Sequence, residues 1–142
     1  MTKIADIMTR DVQVVRPDDS VQRAAQCMKD LDVGAVPVCD GRKLLGMITD
    51  RDITVRTSAA GLSPTDTHVL DVMTKDLRWC TEDESATEVL DGMGEHQIRR
   101  LPVVNAQKEL VGIVSLGDLA TRQRTPVGEA LRNISAPARA TR

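Results

Sequence analysis

The chain has 142 residues, 41% hydrophobic and 28% charged, with a formal net charge of −2, the size and balance of one soluble globular domain that buries about 70% of its unfolded surface. That charge gives no basic footprint for nucleic acid or an anionic membrane, and no apolar run approaches the roughly 18 residues of a membrane span. Met1–Asp6 lacks the apolar stretch of a secretory signal, so the expected compartment is the cytoplasm.

The chain opens on Asp6-Ile7-Met8-Thr9-Arg10-Asp11. A brief strand is predicted over Val12–Val15, followed by the acidic helix start Asp18-Asp19-Ser20, where serine caps orphan N–H groups and the acids suit the positive helix end. Val21, Ala24, Ala25 and Met28 then fall on one helical face. Ala35–Cys39 and Leu44–Thr49 flank the turn Asp40-Gly41-Arg42-Lys43 and read as a hairpin. A helix starts at Thr49 and continues through Ile53.

After a stretch broken by Gly61 and Pro64, the whole series returns. Asp71-Val72-Met73-Thr74-Lys75-Asp76 repeats the opening at a spacing of 65, as Ser85, Met93 and Pro102-Val103 repeat Ser20, Met28 and Pro37-Val38. With one residue inserted, Gly46-Met47-Ile48-Thr49-Asp50-Arg51-Asp52 recurs as Gly112-Ile113-Val114-Ser115-Leu116-Gly117-Asp118. The matching elements are a strand at Leu77–Cys80, a helix carrying Ala86, Val89, Leu90 and Met93, strands at Leu101–Asn105 and Leu110–Ser115, and a helix from Ser115 through Leu119. In the tail, Thr125-Pro126 reads as the start of a further helix through Val127, Leu131 and Ile134.

The expected organisation is therefore a first repeat over 1–56, a linker over 57–68, a second repeat over 69–122, and a C-terminal helix and tail over 123–142. The fold class is α/β (α+β), with small antiparallel sheets packed on helices in two related halves. Two such halves bury their apolar faces against each other, and any ligand site should exist in two versions.

Catalysis finds no support, because Gly-x-Ser-x-Gly, P-loop and His-Glu-x-x-His motifs are all absent from the sequence. Cys27, Cys39, Cys80, His68 and His96 show no metal-ligand spacing, so no metal is expected, although spacing does not say whether they meet in space. The cysteines read first as small buried hydrophobes. With Trp79 as the sole aromatic residue, a planar ligand would need mainly aliphatic walls.

The Met-Thr openings, the Pro-Val strands and the Gly-(hydrophobic)₂-(Thr/Ser)-x-x-Asp ends together resemble a tandem pair of CBS domains, the Bateman module, over residues 4 to 120. Asp50-Arg51-Asp52-Ile53, the long linker and His96-Gln97-Ile98-Arg99-Arg100 are similar to small stand-alone bacterial members. The resemblance implies a pseudo-twofold pair, commonly a homodimer, that binds AMP, ADP, ATP, an NAD-type nucleotide or S-adenosylmethionine in one or both clefts. It implies a non-catalytic sensor that needs no cofactor, passes a shape change to a separate effector protein, and contacts neither nucleic acid nor membrane.

Carried onto this chain, the resemblance assigns Asp52 and Asp118 to the ribose hydroxyls, with Thr49 and Ser115 assisting. A carboxylate suits that task, since it accepts two O–H donors at once. The same tetrapeptides are also helix caps, and one residue set can do both jobs. Arg99 and Arg100 match a basic pair that reaches phosphate, against the alternative of a solvated surface pair. The first repeat offers Gly34-Ala35-Val36 there, so the two sites should be inequivalent. Arg10 and Lys75 are candidates for added positive charge at the rims. Val14, Val36, Pro37, Ile98 and Pro102 are candidates for aliphatic walls, and Trp79 for an adenine cover, each against the alternative of plain packing. The competing readings are a ligand-free dimerisation or protein-interaction module and, more remotely, a metal- or redox-responsive one.

Overall fold

A computed structural model describes residues 2–96, 98–122 and 134, so the C-terminal helix expected from Thr125 lies, Ile134 apart, outside the described residues. The serine caps form as their motifs predict: the Ser20 hydroxyl accepts the Arg23 N–H at 3.1 Å and the Ser85 hydroxyl accepts the Glu88 N–H at 3.2 Å. They open helices α1 (Val21–Leu31) and α4 (Ala86–His96). Further first-turn donors are satisfied from elsewhere in the chain. Val21 and Gln22 donate to the carbonyls of Thr67 and Pro64 at 2.9 and 3.0 Å, and Ala86 donates to that of Thr2 at 2.9 Å. The segment read as a linker thus completes the start of α1, as residue 2 completes the start of α4.

Strands β1 (Ala35–Asp40) and β2 (Lys43–Thr49) form the expected antiparallel hairpin. Its two-residue turn puts Gly41 at φ +61, and a bulge interrupts the register at Val38/Cys39. Helix α2 (Asp50–Ile53) runs directly into a π-helical turn, Thr54–Ser58. The second sheet has the order β3-β4-β5, from Cys80–Thr81, Arg100–Val104 and Leu110–Ser115, and α5 (Leu116–Arg122) follows. The opening motifs contain a 3-10 turn at Ile4–Asp6 and helix α3 at Val69–Val72, which patterning did not suggest.

Two expectations are corrected. The sheets are not all antiparallel, because β3 lies parallel to β4, with Cys80 opposite Val103 and Thr81 opposite Val104. Val12–Val15 is not a strand: only Val15 is bridged, donating to the Pro37 carbonyl at 3.0 Å and accepting from the Cys39 N–H at 3.0 Å. Exposed Val14 lacks the buried neighbours that would extend the ladder. Likewise Leu77 and Arg78 fall before β3.

The described residues divide into two compact units, one drawn from 2–11, 79–96, 98–106, 111–122 and 134, the other from 12–78 and 107–110. Each has its own core. In the first, Ile4, just ahead of the first opening motif, and Ile7 and Met8 within it pack with Val89, Leu90 and Met93 of α4 and with Leu101, Val103, Val114 and Leu119. In the second, Val69, just ahead of the second opening motif, and Val72 and Met73 within it pack with Val21, Ala24 and Met28 of α1 and with Val36, Val38 and Ile48. Each opening motif therefore closes the core of the other repeat. Full burial of one such side chain contributes about 1.5–3 kcal/mol, so three at each motif are a large share of a domain's net stability.

Two glycines make this exchange sterically feasible. Thr74 and Met47 exchange backbone hydrogen bonds at 2.8 and 3.0 Å, as Thr9 and Ile113 do at 2.8 and 2.9 Å. A Cβ on Gly46 would stand 2.5 Å from the Thr74 carbonyl oxygen, and one on Gly112 would stand 2.7 Å from both the Thr9 carbonyl oxygen and the Met8 sulfur. Glycine in the Gly-(hydrophobic)₂ motif is thus a requirement of close backbone approach.

Candidate ligand-binding sites

Each hairpin ends in a capping box. The Thr49 hydroxyl accepts the Asp52 N–H at 3.0 Å while Asp52 Oδ2 accepts the Thr49 N–H at 3.0 Å. The Ser115 hydroxyl accepts the Asp118 N–H at 3.1 Å while Asp118 Oδ2 accepts the Ser115 N–H at 2.9 Å. The capping role of both aspartates is therefore established. One cap uses only part of a carboxylate's acceptor capacity.

The residue before each Pro-Val strand is tied to the same hairpin end. Leu116 donates its N–H to the Arg99 carbonyl at 2.8 Å, and Asp50 donates to that of Gly34 at 2.9 Å. In the first unit this sets Arg99, followed by Arg100 on β4, beside the start of α5, and both side chains are exposed. In the second unit no cation stands at the matching place. There the Asp50 carboxylate oxygen lies 3.0 Å from where a Cβ of residue 34 would be. One site thus combines a hydroxyl, a carboxylate and the exposed Arg99 and Arg100; the other combines hydroxyls with two carboxylates and an arginine, Arg56, that is already paired with Asp52. The two hairpin ends therefore differ in the charge they carry, Asp50 standing beside Gly34 where the other has Arg99.

The remaining candidates sort by unit. Trp79, Ile98, Arg99, Arg100, Pro102, Ser115 and Asp118 belong to the first, and Val14, Val36, Pro37, Thr49 and Asp52 to the second. Val36 is 1% exposed within its core, and Pro37 and Pro102 are buried, so these three pack the strands that position the sites. Ile98 is half-buried against the first core. Val14 and Trp79 are 38% and 45% exposed, which leaves their faces accessible to a ligand. Arg10 is engaged locally, donating to the Ala5 carbonyl at 2.9 Å, and Lys75 is exposed.

Two residues that sequence reasoning passed over converge on Asp52, whose residue is 7% exposed. The Thr74 hydroxyl lies 3.1 Å from each Asp52 carboxylate oxygen, and Arg56 Nε lies 3.9 Å from Oδ1. Arg56 also donates to the carbonyls of Met73 and Val72 at 3.3 and 3.5 Å. The recurrence of Thr9 as Thr74 was the available signal, but it marked a repeat without saying what the hydroxyl touches.

Burial pushes the Cys39 thiol up to about 11. Burial, with the Glu84 carboxylate adding to it, pushes Cys80 up to about 12, so both stay protonated and unreactive at neutral pH. Among the described residues no three His, Cys, Asp or Glu side chains group as a metal site. No described helix is long and apolar enough to cross a membrane.

Comparison with known proteins agrees with this arrangement. A family model for the CBS domain matches residues 4–56 and again 69–125. The CBS domain-containing protein YhcV of Bacillus subtilis is 45% identical over 137 residues, 95% of this chain and 96% of the relative. Hypoxic response protein 1 of Mycobacterium tuberculosis is 40% identical over 121 residues, 84% of each. Among solved structures, Hypoxic Response Protein I with two coordinated zinc ions superposes with a TM-score of 0.77 at 39% identity, covering 86% of this chain and 98% of that one. CBSX2 in complex with AMP gives 0.74 at 25% identity, covering 86% and 96%. The CBS pair of MJ0100 with 5-methylthioadenosine and S-adenosylmethionine gives 0.72 at 26%, covering 84% and 94%.

Proposed function

The chain belongs to the CBS-domain family as a tandem pair, a regulatory module, and on that premise we propose that it senses an adenosine-containing ligand without catalysing a reaction. The carrying observation is the hairpin end of the first unit, where a backbone hydrogen bond of 2.8 Å fixes Arg99 next to the Ser115–Asp118 capping box. Asp118 takes the ribose hydroxyls, Ser115 assists, and Arg99 or Arg100 meets phosphate through charge-assisted hydrogen bonds. Ile98 and Trp79 supply apolar surface for the base. The AMP carried by CBSX2 and the S-adenosylmethionine carried by MJ0100 share the adenosine that this set would read.

Because the first unit contains both the opening motif of repeat one and the hairpin of repeat two, a ligand held on that hairpin stabilises the unit in which they are joined. Its effect is a population shift set by its differential affinity for joined and loosened forms. The module acts in the cytoplasm as a homodimer and passes that shift to an effector protein. A second reading, a ligand-free interaction module, is favoured by one observation: the Asp52 carboxylate is already engaged by Thr49, Thr74 and Arg56.

The test compares AMP with adenosine by thermal shift and Trp79 fluorescence. AMP should raise the melting temperature more than adenosine does, and Arg99→Ala should remove that difference, since a hydrogen bond to a charged group contributes about 1.5–3 kcal/mol. Flat responses to AMP, ATP and S-adenosylmethionine at millimolar concentration would favour the interaction module.

A further inference from the structure

The second unit holds its ribose candidate in a distinctive state. Asp52 is nearly enclosed, and the Thr74 hydroxyl sits at 3.1 Å from both carboxylate oxygens, the pair that a ribose diol would engage with one O–H each. Thr74 is held there firmly. Its backbone exchanges hydrogen bonds with Met47 at 2.8 and 3.0 Å, and Arg56 grips the carbonyls of Met73 and Val72 just before it.

Arg56 also faces the same carboxylate and belongs to the π-helical turn that continues α2. In that turn Thr57 is 1% exposed and its hydroxyl has no hydrogen-bond partner. Such an orphaned group is destabilising, and π-helical turns are rare and frequent at functional sites. The clamp therefore rests on a segment that carries its own cost in stability.

We propose that Thr74 is an internal competitor for the Asp52 site: its hydroxyl occupies the carboxylate in the ligand-free protein, and a ribose diol binds there only by displacing it. The inference rests on the reading that Asp52 recognises ribose. The occupant is a nucleoside without a 5′-phosphate, because Asp50 stands beside Gly34 where the first unit has Arg99, and the nearby Arg56 is already engaged by the Asp52 carboxylate and the Met73 and Val72 carbonyls. Displacement frees Thr74 from its side-chain anchor, so occupancy loosens the second opening motif where it closes the core of the first repeat.

The experiment is calorimetric titration of adenosine into the full chain carrying Asp118→Asn, which silences the other ribose candidate, with Thr74→Val, Thr74→Ser and Asp52→Asn added in turn. Removing the competing hydroxyl in Thr74→Val should tighten adenosine binding about tenfold, the effect of one hydrogen bond to a charged acceptor. Thr74→Ser should behave as the parent, and Asp52→Asn combined with Thr74→Val should abolish the gain. Thr74→Ala serves as a second hydroxyl-free variant if Thr74→Val folds poorly, as judged by circular dichroism. Unchanged or weaker binding in Thr74→Val, with binding still lost in Asp52→Asn, would overturn the competition while leaving ribose recognition intact. Adenosine binding that ignores Asp52→Asn, or no binding in any variant, would overturn the ribose reading and the competition with it.

Discussion

At the scale of single residues, glycine and aspartate carry most of the specification. Gly46 and Gly112 stand where a side chain would strike the backbone of a docking opening motif. Gly112→Ala should lower stability by about 1–3 kcal/mol, the usual range for overpacking a tight contact, read as a reduced midpoint in urea. Gly46→Ala should do the same, since its obstacle is a backbone carbonyl that cannot swing away as a flexible side-chain end can. Asp52 and Asp118 show how far a motif can be read. The capping boxes were legible because Ser/Thr-x-x-Asp carries its own geometry. That Thr74 and Arg56 also reach Asp52 was not legible, since both contacts depend on how distant segments pack.

At the scale of elements, the serine caps located the starts of the two main helices and patterning located both strand pairs to within a residue or so, because their apolar positions face a core. It failed at Val12–Val15, where β-branched composition suggested a strand but only Val15 finds a partner. It also missed the 3-10 turn and α3 in the opening motifs, segments too short for a period to register. The two helices differ in one testable respect. Helix α4 carries Gly92 mid-helix, where a Cβ would meet nothing within 4 Å. Gly92→Ala should therefore stabilise the protein by about 0.5–1 kcal/mol through reduced freedom of the unfolded chain, seen as a higher thermal midpoint.

At the scale of the whole molecule, the repeat announced two related hairpin ends, and the structure builds each, with its capping box, within a unit that draws on both repeats. Which core each opening motif closes could not be read from the sequence. Ile7-Met8 and Val72-Met73 are chemically interchangeable, so a chain folding each repeat onto itself would show the same pattern. The exchange matters for function because each unit, and so any site within it, rests on a core built from both halves of the chain. Charge then separates the two hairpin ends: exposed Arg99 and Arg100 stand at one, and Asp50 stands beside Gly34 at the other, where Arg56 is paired with Asp52.

The claim on which this account turns is that the Ser115–Asp118 box of the first unit reads ribose as well as capping α5. Calorimetric titration of AMP and of S-adenosylmethionine into the wild-type chain and Asp118→Asn tests it directly. Asparagine keeps an oxygen for the Ser115 N–H, so the cap and the fold survive while the charged acceptor is lost. At least one ligand should bind the wild type, and its affinity should fall about 10- to 100-fold in Asp118→Asn with little change in ligand-free melting temperature. Equal affinities for the two proteins, or no binding of either ligand to the wild type at millimolar concentration, would contradict the account.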